Sequence, residues 1–527
     1  MDHPSKARLP WHSYHNKIVV LGVGTSGSYL IYQLSQGRNN YVLGLEAEPD
    51  TSDCPTAVDY SNPSQKNCDR WASILQDDRY TFQNLFPINR GIPSPFSINL
   101  SNIVYEEFHD VLGFRSLKLT PTIAPEPLTV NSGANICITT AAERCLDQPS
   151  TLLGSVITKQ EQRFCDAIEY GVYRGINNHN LTLKLNTRVS RIVFKTKVGY
   201  PHGKDYWLCN YPLGEIKKQA FVRPLKAVGV VYISTADNRS NFVRCTDTIL
   251  CLGTLATPTV LMQSGIGPKA ILDKHGLPVL FNQANLGKHI GNQYGLTLTW
   301  SGNNTVWGGT TAGTDASSGY LPNVSQVPTS SRRKFQYFSS HQATPETWSL
   351  SLYDLHPKST GHLEISDVAE TGGLIKASIY PNYYSDTNGE DLDNLCNITR
   401  KLAAMIKRSD PTAEFITAAA SIPYPFPADN AGMFKLFSEQ AASLVSHANY
   451  AGSCGMGTSE KYHCVDSNFL LRGTSNVYVC DAASTPLEVT ADKEVYPVQN
   501  DGSAARDLNA FSIICAETLH EILDRRN

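Results

Sequence analysis

The sequence predicts an α/β protein organised around a dinucleotide-binding unit near its start and continued in more than one domain. Three observations carry this. Residues 18–21 are a short apolar run of the kind a strand buried on both faces requires, and Gly22, Gly24 and Gly27 follow it at G-x-G-x-x-G spacing. A second such run, residues 248–252, also arrives at a glycine, Gly253. At 527 residues the chain exceeds the ~250–300 at which one hydrophobic core stops growing, so two domains are expected.

In the first unit the three glycines have different tasks. Gly22 permits a tight turn, Gly24 lets the backbone approach a pyrophosphate, and Gly27 lets the next helix pack on the strand. Residues 28–35 read as that helix, with Thr25 and Ser26 leading into it; its free amides and positive dipole end favour a phosphate. Residues 41–45 form a second apolar strand. Glu46 ends it, near the ~20-residue spacing at which a carboxylate reaches a ribose hydroxyl. An acid there, rather than an arginine, suits FAD or NAD better than NADP, and the unit alone does not separate those two.

Composition excludes several classes. Net charge is −3, with charges spread along the chain, which offers no footprint for nucleic acid. No apolar run approaches the ~20 residues of a membrane span, and residues 1–16 lack the apolar stretch of a signal peptide, so no membrane partner is predicted and synthesis in the cytosol is expected. Thirteen cysteines without CxxC pairs argue against a zinc site and a dense disulfide framework. His463, Asp466 and His520 show no metal spacing, and no metal site is predicted.

Further along, residues 49–65 read as a surface loop, residues 69–75 and 80–87 as helical turns, and residues 91–150 as loops and short strands. Residues 160–175 have helical spacing, with Phe164, Ile168 and Val172 on one stripe; residues 177–194 turn into strands, and residues 203–226 read as a surface hairpin. Trp307, Tyr320, Phe335, Tyr337 and Trp348 could face core or cavity, and most of them are read as core. Residues 253–267 read as a turn and a helix started by Thr257 and Pro258 and ended on the small residues 264–267.

Those fifteen residues, Gly-Thr-Leu-Ala-Thr-Pro-Thr-Val-Leu-Met-Gln-Ser-Gly-Ile-Gly, resemble the second signature of the glucose-methanol-choline (GMC) family of FAD-dependent oxidoreductases. Other matches follow in the family's order. Asp69-Arg70-Trp71 with Asn84-Leu85-Phe86-Pro87 is similar to the segment after the first signature; Leu355-His356-Pro357 with Tyr380-Pro381-Asn382-Tyr383 resembles the substrate-domain sheet. Gly452-Ser453-Cys454-Gly455-Met456-Gly457, Asp481-Ala482 and Asn509-Ala510 resemble the C-terminal block. The resemblance implies a discontinuous doubly wound (Rossmann-like) FAD-binding domain, residues 1–60, 176–290 and 445–527. Beside it would stand an α+β substrate-binding domain on an antiparallel sheet, residues 61–175 and 291–444.

It also implies alcohol oxidation, with hydride transfer from a CH–OH carbon to flavin N5 and reoxidation by oxygen or another acceptor. Gly22, Gly24, Thr25, Ser26, Gly27 and Glu46 would hold the ADP half and Val189 would lie near the adenine. Asp481 and Ala482 would face the pyrophosphate and ribityl chain, and Gly253, Asn509 and Ala510 complete the cofactor set. A small-molecule alcohol is the expected partner, and a homodimer or higher assembly is compatible with the reading.

Two departures qualify the activity. The family's usual catalytic histidine, three residues before the motif glycine, falls on Asn449, and the second catalytic position falls on Asn509. An amide orients a hydroxyl but does not take its proton. His447, two residues upstream, shares a face with position 449 on an extended strand, yet stands ~6.5 Å along it, beyond the ~3 Å reach of a base; a structural histidine is the competing reading. The long segment carrying the first signature is replaced by residues 47–68, without Gly-Gly-Ser-Ser, and residues 131–135 are the candidate substitute. Two functional classes follow: an FAD-dependent enzyme acting on CH–OH donors, or a GMC-fold protein of weak or no catalysis kept as a structural or packaging component.

Overall fold

The computed structural model describes residues 15–37, 39–47, 65–81, 83–85, 139–140, 156–157, 164–165, 180–197, 216–217, 219–235, 237–302, 317–322, 333–343, 346–367, 376–417, 421–440, 444–446, 449–499 and 509–526. The chain opens with β1 (Asn16–Leu21), α1 (Thr25–Ser35) and β2 (Asn40–Leu45), as the apolar runs and glycine turn predict. Then come α2 (Gln65–Leu75), β3 (Leu181–Lys184), an antiparallel meander of β4 (Thr187–Phe194), β5 (Ala227–Ser234) and β6 (Ser240–Arg244), β7 (Asp247–Leu250) and α3 (Gly253–Gln263). The antiparallel half contains β8 (Tyr294–Ser301), β9 (Ser317–Pro322), β10 (Arg333–Ala343), β11 (Glu346–Asp354), α4 (Glu390–Ser409) and β12 (Leu444–Ser446). β13 (Val477–Val479) and α5 (Asn509–Asp524) return to the first half.

β13, β7, β1, β2 and β3 lie side by side in that order in one parallel sheet. Strand order runs outward from β1 in both directions, so the switch point lies between β1 and β7, where an open α/β sheet leaves a crevice at its carboxyl ends. Val19, Val20, Leu21, Ile249, Leu250, Val477 and Val479 are fully buried. That continuous burial is what helices on both faces of a parallel sheet require.

The second half buries by alternation. Leu296, Leu298 and Trp300 of β8 face Leu352, Leu350 and Trp348 of β11 in register, while Thr297 and Thr299 pair with Ser351 and Ser349 on the other face. α4 closes this sheet with Leu395, Ile398, Leu402 and Ile406, spaced to share one side of a helix. Acids in its first turn and Lys407 and Arg408 in its last match its dipole. Phe335 and Trp348 are core residues, as read; Trp307 lies outside the described residues.

The structure corrects several expectations. Phe164, assigned to a helical stripe, belongs to a two-residue strand paired with Val156–Ile157, so cross-strand pairing overrides the local spacing; the rest of that stripe lies outside the described residues. The sequence reading puts residues 61–175 with the substrate half; α2 instead buries Cys68, Trp71 and Leu75 in the same hydrophobic cluster as the parallel strands, with Trp71 edge-on to Phe511 of α5 at 5.1 Å. The end of the predicted surface hairpin is also interior, since Phe221 and Leu225 are buried there. Among the described residues no helix is long and apolar enough to cross a membrane.

Candidate active site

At the switch point the three N-terminal glycines separate by what surrounds them. Gly22 has φ +84, and a Cβ on it would stand 2.5 Å from the Cys251 carbonyl oxygen; one on Gly27 would stand 2.0 Å from the Gly22 oxygen. These two exist so that backbone packs on backbone. A Cβ on Gly24 would meet nothing within 4 Å. Gly24 also caps α1 without a side-chain hydrogen bond, so the helix start carrying Thr25 and Ser26 borders open space. Glu46 closes the rim: its carboxylate accepts from the Val23 amide at 2.6 Å and the Ala47 amide at 2.8 Å.

The neighbouring turn mirrors the first. Gly253 has φ +81 and likewise meets nothing where its Cβ would be. Contrary to the expectation that Thr257 and Pro258 start it, α3 begins at Gly253 and holds Pro258 inside. Proline supplies no amide to the carbonyl four residues back, that of Thr254. Ser453 Oγ donates to that carbonyl instead, and the Thr254 hydroxyl donates to the Tyr450 carbonyl. Thr257 serves Asp481 rather than the helix cap.

Asp481, expected to face the pyrophosphate and ribityl chain, directs its carboxylate into the protein. It accepts from the Gly253 amide (2.8 Å), the Thr257 hydroxyl (2.7 Å) and the Ala483 amide (2.8 Å). Burial pushes its pKa up to about 6, against the pull of those donors. Its work is to tie the end of β13 to the start of α3, with Ala482 buried beside it. Val189, expected near the adenine, has its side chain in the core of the parallel-sheet half.

Between the two halves runs a seam made where Gly291 and Ala451 exchange backbone hydrogen bonds at 3.0 Å. Asn449 is buried there; its Nδ2 donates to Gln293 Oε1 at 3.4 Å and its carbonyl accepts from Gln499 Nε2 at 2.8 Å. Trp71 Nε1 donates to Val498 O at 2.7 Å, which links α2 and the start of α5 to the same place. The backbone of Asn509 and Ala510 opens α5. Their side chains, and all of His447 and residues 131–135, lie outside the described residues.

The neighbouring histidines serve structure. Burial and then Lys288 push His289 down to about 4, and burial lowers His463, whose Nδ1 lies 3.0 Å from the Ser459 carbonyl oxygen and Nε2 3.1 Å from that of Leu487. A Cβ on Gly457 would strike the His463 ring at 2.3 Å, which accounts for that motif glycine. Cys454 is a fully buried thiol beside Cys464, a packed group as read. His356 donates its amide to Asp354 and accepts Lys334 Nζ at its carbonyl, which places it in the loop after β11. Sequence reasoning passed over Asn292, Ser446 and Tyr450 and quoted Tyr383 only as a motif residue; their convergence is tertiary.

Profiles described as GMC oxidoreductase match residues 147–294 and 357–495. The chain belongs to the GMC oxidoreductase family. An alcohol dehydrogenase (acceptor) of Pseudomonas putida is 25% identical over 336 residues, 57% of this chain and 55% of that protein. The chain spans about half the length, or less, of the curated relatives it matches. Pyridoxine 4-oxidase from Mesorbium loti superposes with TM-score 0.67 at 16% identity, covering 97% of this chain and 100% of that one. An FAD-dependent oxidoreductase from Chaetomium thermophilum superposes with TM-score 0.65 at 15% identity, over 97% and 99% of the two chains. These last two establish the fold alone. The residues fit an FAD: two glycines open onto empty space at adjoining turns, with a helix start and a carboxylate at the rim.

Proposed function

We propose that this chain is an FAD-dependent oxidoreductase that oxidises the CH–OH group of a small alcohol at the seam. The observation that supports it most is the pairing of two open glycines, Gly24 and Gly253, beside the switch point of the parallel sheet. The chemistry FAD supplies when bound is acceptance of a hydride from the carbinol carbon at N5, with reoxidation by oxygen or another acceptor. Gly22, Gly24, Thr25, Ser26, Gly27 and Glu46 hold its ADP half; Gly253, Ala482 and the start of α5 flank the remainder.

The chain's own part is binding and orientation. Asn449 presents an amide and Asn509 a second one to the substrate oxygen, and neither removes a proton near neutral pH. The hydroxyl proton therefore passes to His447 or to solvent. The buried amide chain through Gln293 and Gln499 holds Asn449 in place. The antiparallel sheet of β8–β12 forms the substrate side.

A second reading, a GMC-fold protein of weak or no catalysis, is favoured by Asn449 itself, an amide at the base position. The visible spectrum of purified protein separates the two. Flavin bands bleached anaerobically by a panel of alcohols support the enzyme. A yellow protein that no alcohol reduces supports the scaffold, and a colourless protein that takes up no added FAD removes the oxidoreductase reading.

A further inference from the structure

Four side chains not used above meet by their polar ends at the seam. Asn292 is 3% exposed, and its Nδ2 donates to the Tyr383 hydroxyl and the Ser446 hydroxyl at 2.6 Å each. Those two oxygens stand 3.1 Å apart, and the Tyr450 phenol interacts electrostatically with that of Tyr383. Asn292 Oδ1 is buried with no hydrogen-bond partner among the described residues. Tyr383 and Tyr450 are half-buried and Ser446 is exposed, so the cluster reaches from the interior to the mouth of the seam. It is anchored at both ends. The Tyr450 carbonyl is held by Thr254 in the first turn of α3, and the Tyr383 ring packs on Tyr294 of β8 at 4.5 Å.

The converging groups are two phenols, a serine hydroxyl and a carboxamide, none charged. The nearest acid in the network, Asp391, is saturated by the Tyr294 and Ser359 hydroxyls and the Lys358 and Ser359 amides. Burial and the contact with Tyr383 push Tyr450 up to about 12, which keeps its phenol a neutral donor at physiological pH. The rings of Tyr294, Tyr383 and Tyr384 lie against one another, at 4.5 and 4.8 Å from Tyr294. Rings packed against one another in this way do not offer the open cage that a quaternary ammonium group needs. A carboxylate would find no cation among these four groups and would lose its water.

We infer that Tyr383, positioned by Asn292, and Tyr450 beside it are the specificity-determining edge of the alcohol site, and that they select an uncharged alcohol carrying a second hydroxyl. The inference rests on the alcohol-oxidation reading. Asn292 is a positioning residue: with both amide hydrogens engaged, it orients the Tyr383 and Ser446 hydroxyls, so that the remaining lone pairs and proton of Tyr383 serve the substrate. A net hydrogen bond between neutral groups corresponds to about a two- to tenfold change in affinity. Each phenol therefore contributes on that scale.

The test uses the FAD-loaded full chain and benzyl alcohols that differ in one para group: none, hydroxymethyl, carboxylate or trimethylammonium. The hydroxymethyl compound should bleach the flavin with a kcat/KM several-fold above benzyl alcohol and at least about tenfold above either charged compound. Tyr383→Phe and Tyr450→Phe should each raise KM for the hydroxymethyl compound about two- to tenfold. Both should keep flavin content and raise the KM for benzyl alcohol less than that for the hydroxymethyl compound, a split that a merely structural role does not produce. Preference for a charged compound, or Phe variants with unchanged KM, overturns the inference and leaves the oxidoreductase reading standing. A chain that takes up no FAD, or whose flavin no compound bleaches, sinks both.

Discussion

The two ends of the site are built by different means. At the sheet's switch point the fit is backbone on backbone: Gly22 against Cys251, Gly27 against Gly22, and an Asp481 carboxylate with three protein donors. At the seam it is side chain on side chain, in the amide pair Asn449 and Gln293 and the hydroxyls around Asn292, which keeps one buried oxygen unmatched. The first arrangement tolerates almost no change because carbonyls do not move aside. The second tolerates change in shape and responds in chemistry.

That contrast is easiest to break at the glycines. Gly27→Ala puts a methyl 2.0 Å from a carbonyl oxygen and should cost about 3 kcal/mol or prevent folding, read from thermal unfolding. Gly24→Ala meets no atom and has an ordinary φ of −71. It should leave the unfolding midpoint in place and weaken FAD retention; equal behaviour of the two variants would remove the case that Gly24 faces a ligand.

Asp481 sharpens the buried side of the comparison. Its folded pKa of about 6 stands above the ordinary 3.8. An acid shifted upward stabilises the fold when protonated, so its contribution is full below pH ~4 and is lost as pH rises through about 6, by at most about 3 kcal/mol. Asp354, also near 6 from burial, titrates in the same window. Asp481→Asn should flatten the fall in stability between pH ~4 and ~6 without abolishing it. An unchanged slope would show that this carboxylate does not carry the shift.

At the seam, Asn449→His places a titratable nitrogen where the proposed alcohol site needs a base and should raise alcohol-driven flavin bleaching by about 10²-fold, the low end of what general-base catalysis contributes. A variant with full flavin content and no gain would mean that the proton already has another exit. The smallest effect is expected from Ser453→Ala. It removes the hydroxyl that substitutes for the amide missing at Pro258 and should lower stability by about 1 kcal/mol in chemical unfolding, with FAD content kept.

The legibility of the two ends follows the same division. The turn at residues 22–27, the strands on either side and Glu46 were readable because each constraint lies within a few residues of the next. Asp481 was readable as a functional position but not in its task, since its partners, Gly253 and Thr257, stand more than two hundred residues away. The start of α3 was misplaced because Thr-Pro is a local start signal that Ser453 overrides from a distant loop. Phe164 and α2 went the same way, to a cross-strand pair and to a core that no local pattern announces.

By itself the amino-acid order determined that a glycine turn of dinucleotide-binding type follows the first strand and that two cores are needed. Only the folded chain decided that Asp481 faces inward, that α2 joins the first core, and that Asn292, Tyr383, Ser446 and Tyr450 share one seam. The physical reason is range: dihedral preference and hydrophobic period act between near neighbours, whereas burial and hydrogen-bond matching are settled among groups that meet only once both halves have packed.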